Sequence, residues 1–137
     1  MIMIARNAAV ASVPEESGDN AVERARIIHL LVASGTVPVQ RANMVLDIKG
    51  RHVQGEAVSE RGPLDAIALA FHKILGREAE LVRYKAVSNQ EGTGAERTVT
   101  ILVKIDGRLE RSTAKGTDTN LAFARAYLGV LNRKPPL

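Results

Sequence analysis

Two short segments carry the residues best suited to hold a small ligand: Gly62-Pro63-Leu64-Asp65-Ala66 and Gly116-Thr117-Asp118-Thr119-Asn120. Each precedes a run with helical apolar spacing, so each is expected to open a helix. A helix start presents unpaired backbone N–H groups and a positive dipole end, which suits a carboxylate, while an apolar wall beside it accepts an aliphatic side chain. The same residues also serve plainer ends: the glycines as tight turns, Thr117 or Asp118 as N-caps, and Asp65 as a complement to the dipole.

Other chemistry finds little support. His29, His52 and His72 are the only histidines, no two of them have zinc-site spacing, and cysteine is absent, so no metal and no cofactor is expected. Gly92-Thr93-Gly94 lacks the lysine of a P-loop and the third glycine of a dinucleotide fingerprint, and reads as a hairpin connection. Ser34, Ser59, Ser88 and Ser112 fall near expected strand ends without a Gly-x-Ser-x-Gly elbow. No Asp/Glu couple stands out as an acid and base, and no catalytic residue is assigned.

With 137 residues, 45% of them hydrophobic, the chain fits one domain with one core. Only 3% are aromatic, so stacking platforms for bases or sugars are scarce. The absence of cysteine fits a reducing cytoplasm, and the opening Met1 to Ala11, broken by Arg6 and Asn7, is too short to span a bilayer. A cytoplasmic chain without membrane association is expected. The net charge of +4 and pI near 9.8 would suit an acidic partner if the charges were clustered. Arg51, Arg61, Lys73, Arg77, Arg83, Lys85, Lys104, Arg111 and Lys115 are instead dispersed along the chain, which reads as a solvated surface rather than a nucleic-acid footprint.

The elements that must position the two helix starts follow from periodicity. Residues 1–24 lack a sustained period and read as a flexible leader, leaving 25–137 as the domain. Ile27 to Ala33 reads as a buried strand; Ala42, Met44, Leu46 and Ile48 alternate with polar residues, and Lys49-Gly50 turns the chain into His52 to Ser59. Leu64, Ile67, Ala68, Phe71, Ile74 and Leu75 then form one helical stripe ending near Gly76. The order repeats: a strand at Leu81 to Ser88, an alternating strand through Val99, Ile101, Val103 and Ile105, a turn at Asp106-Gly107, a strand at Leu109 to Ala114, and a helix begun by Gly116.

Gly62, Ile67 and Ala70 align with Gly116, Leu121 and Ala124, each 54 residues later, while the turn glycines Gly50 and Gly107 are 57 apart. The fold class expected is therefore α+β: two tandem βββα repeats with pseudo-two-fold symmetry, helices packed on antiparallel sheets. In the second helix Leu121, Ala124, Leu128 and Leu131 form one stripe and Phe123, Tyr127 and Val130 a second beside it. So wide an apolar surface places the helix either deep in a monomer core or between two subunits, with Phe123, Tyr127 and Val130 as the dimer-interface candidates.

From about Arg26 to Arg133 the chain resembles the C-terminal regulatory, or LeuA-type dimerisation, domain of 2-isopropylmalate and citramalate synthases. The resemblance is carried by Gly62-Pro63-Leu64-Asp65-Ala66, by Glu91-Gly92-Thr93-Gly94-Ala95 before the alternating Val99 to Val103, and by Gly116-Thr117-Asp118-Thr119-Asn120 through Ala126-Tyr127-Leu128-Gly129-Val130-Leu131-Asn132-Arg133. It implies a non-catalytic domain, because the family's zinc-dependent barrel, which condenses acetyl-CoA with a 2-oxo acid, lies in a separate N-terminal region far larger than the leader here.

The resemblance further implies feedback binding of a branched-chain amino acid, leucine or isoleucine, between the repeats near a homodimer interface. The matching positions are Gly62, Pro63, Leu64, Asp65 and Ala66, with Leu69 a turn further on, and Gly116, Thr117, Asp118, Thr119 and Asn120. Asp65 or Asp118 would take the ligand's ammonium group. A separate catalytic synthase chain is an implied partner.

The chain departs from the family where Glu60-Arg61-Gly62-Pro63 replaces a Gly-x-Gly-Pro entry, setting a carboxylate at the pocket mouth, and at Phe123, where relatives carry small residues. Two other readings compete: a degenerate module that only dimerises or docks, and a basic nucleic-acid-binding module.

Overall fold

The computed structural model describes residues 25–33, 39–89 and 95–133. The leader expected at 1–24, the break at Pro38 and most of the 89–95 connection lie outside the described residues. Six strands and two helices follow in the order β1 (Ala25–Ala33), β2 (Gln40–Ile48), β3 (Arg51–Ser59), α1 (Pro63–Leu75), β4 (Glu80–Ser88), β5 (Arg97–Ile105), β6 (Arg108–Gly116) and α2 (Thr119–Leu131). They form two three-stranded antiparallel sheets, β1-β2-β3 and β4-β5-β6, each followed by its helix. The α+β arrangement of two βββα units is the one the periodicity called for.

The β2–β3 and β5–β6 hairpins each close on two residues with positive φ, Lys49-Gly50 (56° and 83°) and Asp106-Gly107 (54° and 77°). That conformation matches the right-handed twist of the strands it joins. Period-two alternation then points Ala42, Met44 and Leu46 of β2, and Val99, Ile101, Val103 and Ile105 of β5, to the helix side, where all are buried. Helix α1 packs on β2 and β3, and α2 on β5 and β6. A single apolar cluster runs through both units.

Close helix–sheet approach is obtained differently in the two units. In the first, Gly55 of β3 leaves room for Ile74, whose Cγ1 would lie 2.3 Å from any added Cβ. In the second, the glycine is on the helix, where Gly129 faces the Ser112 hydroxyl.

Three details differ from the sequence reading. Gly116 is the last residue of β6, and α2 begins at Thr119 behind an Asp118 N-cap. The helices therefore match at an offset of 56, not 54: N-cap Gly62 corresponds to Asp118, Ile67 to Phe123 and Phe71 to Tyr127, and the side chains of Ile67, Phe71, Phe123 and Tyr127 are all buried. Strand β1 is an edge strand and not a buried one, with Ile28 48% and Leu31 60% exposed. A β-bulge in β1 between Ile27 and His29 recurs in β4 between Leu81 and Arg83, so even the irregularity is duplicated.

The units are joined at the C-terminal ends of their helices. Phe71 stacks on Tyr127 with ring centroids 6.0 Å apart. The Tyr127 hydroxyl donates to the Ala79 carbonyl at 3.1 Å and lies 2.7 Å from His72 Nε2. Arg77 donates to the Leu131 carbonyl at 2.6 Å, and Asn132 ties the end of α2 to both backbone groups of Ala25.

Candidate functional site: two helix starts of opposite character

Helix α1 opens without a side-chain cap. Its N-cap, Gly62, has φ 123° and ψ 172°, a backbone conformation that side chains disfavour, and Pro63 occupies the first helical position. The first N–H to find an intrahelical acceptor is that of Ala66, bonded to the Gly62 carbonyl at 3.1 Å. The N–H groups of Leu64 and Asp65 are thus left for a ligand or solvent.

Asp65 is held from the preceding strand: Ser59 Oγ, almost fully buried, donates to Asp65 Oδ2 at 2.6 Å and accepts the Arg61 N–H at 2.9 Å. This strap fixes the β3–α1 connection. Leu64 is half-buried against the core and Ala66 is fully buried, while Leu69, one turn beyond Asp65, is 36% exposed. An uncapped helix start and an accessible aliphatic side chain one turn beyond Asp65 thus share the same end of α1.

Helix α2 closes its own start. Asp118 Oδ1 accepts the Asn120 N–H at 3.0 Å and the Leu121 N–H at 3.2 Å, and the Asp118 carbonyl accepts from Ala122 at 2.9 Å. Gly116 stays in β6, Thr117 is exposed, and Thr119 and Asn120 are half-buried. The N-cap role read for Asp118 from the sequence is the one its carboxylate fills.

Among the described residues, no hydrogen bond, ion pair or ring contact joins residues 62–69 to 116–124; those between the helices involve Phe71, His72 and Arg77 on one side and Tyr127 to Arg133 on the other. Phe123, Tyr127 and Val130, expected as interface candidates, are 0%, 0% and 1% exposed within one chain. The chain's own sheet and first helix cover them, so they are core residues and cannot supply an exposed dimer surface. Phe123 packs edge-on against Tyr84 with centroids 6.1 Å apart.

The His72–Tyr127–Ala79 network is not evident from the sequence, where the three histidines are weighed only as zinc ligands. The available signal was a tyrosine at the core position where the other unit has phenylalanine, since a buried phenol needs a partner. Burial lowers the His72 pKa, partly offset by the carboxylates of Glu78 and Asp65, and burial pushes the Tyr127 phenol well above its ordinary value, with Asp65 adding to the shift. Among the described residues no cluster of three or more His, Asp or Glu could hold a metal ion, and no helix is long and apolar enough to cross a membrane.

Residues 4–134 match the family model of the LeuA allosteric (dimerisation) domain. The chain belongs to this family. Similar proteins include a 2-isopropylmalate synthase from Methylobacterium nodulans, 36% identical over 124 residues, or 90% of this chain and 24% of the relative. Another, from Bradyrhizobium diazoefficiens, is 36% identical over 81% of this chain and 21% of its own length. A third, from Caulobacter vibrioides, is 38% identical over 80% of this chain and 21% of its own length. This LeuA-type domain thus spans less than a quarter of the synthases it matches, and it corresponds to their dimerisation domain.

Proposed function

We propose that this LeuA-type domain is a non-catalytic regulatory module of leucine biosynthesis in the cytoplasm, binding a branched-chain amino acid, leucine in preference to isoleucine, and forming a homodimer. The observation that supports binding is the uncapped start of α1 beside Leu69. The ligand carboxylate takes the Leu64 and Asp65 N–H groups, Asp65 faces the ammonium, and the aliphatic chain lies against Leu69. The α2 start contributes less than the sequence implied, because Asp118 already occupies its donors.

Homodimerisation uses a surface other than the Phe123 stripe. Helices α1 and α2 both pack on β1 but neither packs comparably on β4, leaving Tyr84 37% and Val82 48% exposed. That face of β4 is the proposed contact.

Titration calorimetry with leucine, isoleucine and valine tests the effector reading, with a saturable isotherm strongest for leucine expected. Gly62→Asp is expected to weaken leucine binding by about 1–2 kcal/mol, the range of a helix-end charge interaction in a partly buried site, and to lower the melting temperature because φ 123° strains any side chain, while the domain stays folded. Unchanged affinity in a folded variant rejects this placement. Tyr84→Glu is expected to shift the light-scattering mass from dimer to monomer.

A further inference from the structure

We infer that the outer face of the second sheet, turned away from α2, is a docking surface for a different protein whose surface carries carboxylates interspersed with apolar side chains. The register of β4, β5 and β6 places the outward residues in four rows: Glu80, Lys104 and Leu109; Arg83, Leu102 and Arg111; Lys85, Thr100 and Thr113; Val87, Thr98 and Lys115. Residues scattered through 83–115 of the sequence thereby collect into one patch of five cations. All five are exposed, none has a side-chain ion pair among the described residues, and the sole acidic residue in the rows, Glu80, lies at one end. Rows are about 7 Å apart along a strand and neighbouring strands about 5 Å apart, so the charges lie within one another's field at physiological ionic strength.

The first sheet shows what a settled outer face looks like in the same fold. There Arg26 pairs with Asp47 at 2.7 Å and Arg41 with Glu56, so two cations meet two anions. Cations also guard sheet edges against unwanted strand pairing. Lys104, however, is on the central strand, which has no free edge.

The identity of the partner follows from what lies between the charges. Leu109, Leu102 and Val87 cross the patch, with Leu109 61% and Val87 47% exposed, and a phosphate backbone offers nothing to cover them. The face bears no aromatic side chain on which bases would stack. A second copy of the chain fits poorly: among the described residues Asp47, Glu56, Asp106 and Glu110 are in ion pairs, Asp118 is spent as a cap, Glu96 accepts from Asn89, and Glu80 belongs to the patch itself. The exposed carboxylates that remain among them, Glu60 and Glu78, stand at opposite ends of α1 and form no acidic cluster. A carboxylate-rich partner surface with apolar anchors satisfies both components.

The test is fluorescence anisotropy of the full chain against a labelled twelve-residue peptide alternating Glu and Leu, beside oligoglutamate, a DNA duplex and phosphatidylglycerol vesicles. Expected is binding of the Glu/Leu peptide more tightly than of oligoglutamate, weakening as salt rises, and loss of about tenfold in affinity in Arg83→Glu/Arg111→Glu, as expected for two reversed, partly screened charges. Lys85→Glu/Lys115→Glu serves if the first variant misfolds by circular dichroism. Arg26→Glu/Arg41→Glu, on the first sheet, is expected to leave the affinity unchanged. The inference is overturned by absence of peptide binding, by tighter binding to duplex or vesicles, or by equal losses from the first-sheet variant. Leucine calorimetry on the same variants separates this surface from the effector site, since leucine binding persists in them whichever way the peptide result falls.

Discussion

The two βββα units leave opposite surfaces unsatisfied. In the first, the outer sheet face is neutralised by the Arg26–Asp47 and Arg41–Glu56 pairs, while the helix start at Gly62 has no cap. In the second, Asp118 closes the helix start, while five cations on the outer sheet face have no side-chain ion pair among the described residues. Both sheets have the same strand order and both helices the same length, so the difference owes nothing to backbone plan. A duplicated scaffold has kept its apolar alternation, on which folding depends, and diverged at polar positions whose satisfaction is optional for stability. Those are the positions at which each unit is free to meet something else.

The comparison breaks first at the equivalent pair Phe71 and Tyr127. Truncating either removes a fully buried ring from the seam between the units, at a cost of about 3–5 kcal/mol. Tyr127→Ala is expected to be the worse by about 1 kcal/mol, because it also removes the hydroxyl shared with Ala79 and His72. Urea denaturation of the two variants gives the ordering; equal losses would mean that the network contributes nothing. Next comes the glycine exchange between strand and helix. Gly55→Val forces a branched side chain into Ile74 and is expected to cost about 1–3 kcal/mol by overpacking. Gly129→Ala, where the nearest atom is the Ser112 hydroxyl at 3.3 Å, is expected to cost much less in the same assay.

These contrasts show what the amino-acid order could and could not disclose. The hairpins were legible because Lys49-Gly50 and Asp106-Gly107 separate alternating runs, and α1 because Gly62-Pro63 and Gly76 bracket one apolar stripe. The start of α2 was misplaced by matching Gly116 to Gly62. A helix start is made equally well by a glycine with positive φ or by an extended aspartate, so the functional equivalent of a residue need not share its type. Whether the Phe123, Tyr127 and Val130 stripe met a second subunit or the chain's own first unit was undecidable, because hydrophobicity records burial and not the identity of the cover. The basic patch was invisible for a different reason. Cations separated by up to 32 positions, Arg83 to Lys115, become neighbours only when the register of three strands is known.

The contrast between the helix starts can be sharpened by exchanging their character. Asp118→Ala is expected to destabilise the domain by about 1 kcal/mol, and Asp118→Gly by only a few tenths, since glycine tolerates the N-cap position. Asp118→Gly also frees the Asn120 and Leu121 N–H groups, creating a second open helix end. If the helix end alone selects the ligand, leucine calorimetry on this variant shows added binding; an unchanged stoichiometry assigns the selection to Leu69 and Asp65, which have no counterpart beside α2.

The smallest effect concerns pH at the seam. Burial holds the His72 pKa below the ordinary imidazole value of 6.5, and Nε2 of the ring lies 2.7 Å from the Tyr127 hydroxyl. As pH falls from neutrality through 6.5, the unfolded chain takes up a proton that the folded chain resists. Stability therefore declines across that window and levels off once the pH is below the depressed folded value. The first unit supplies the imidazole and the second the phenol beside it, so this pH dependence reports on the joint between units. The expected observation is a melting temperature that drops between about pH 7.5 and about pH 5 by less in His72→Gln than in the wild-type chain. Parallel pH profiles for the two proteins would place the titrating groups elsewhere and leave the seam electrically silent.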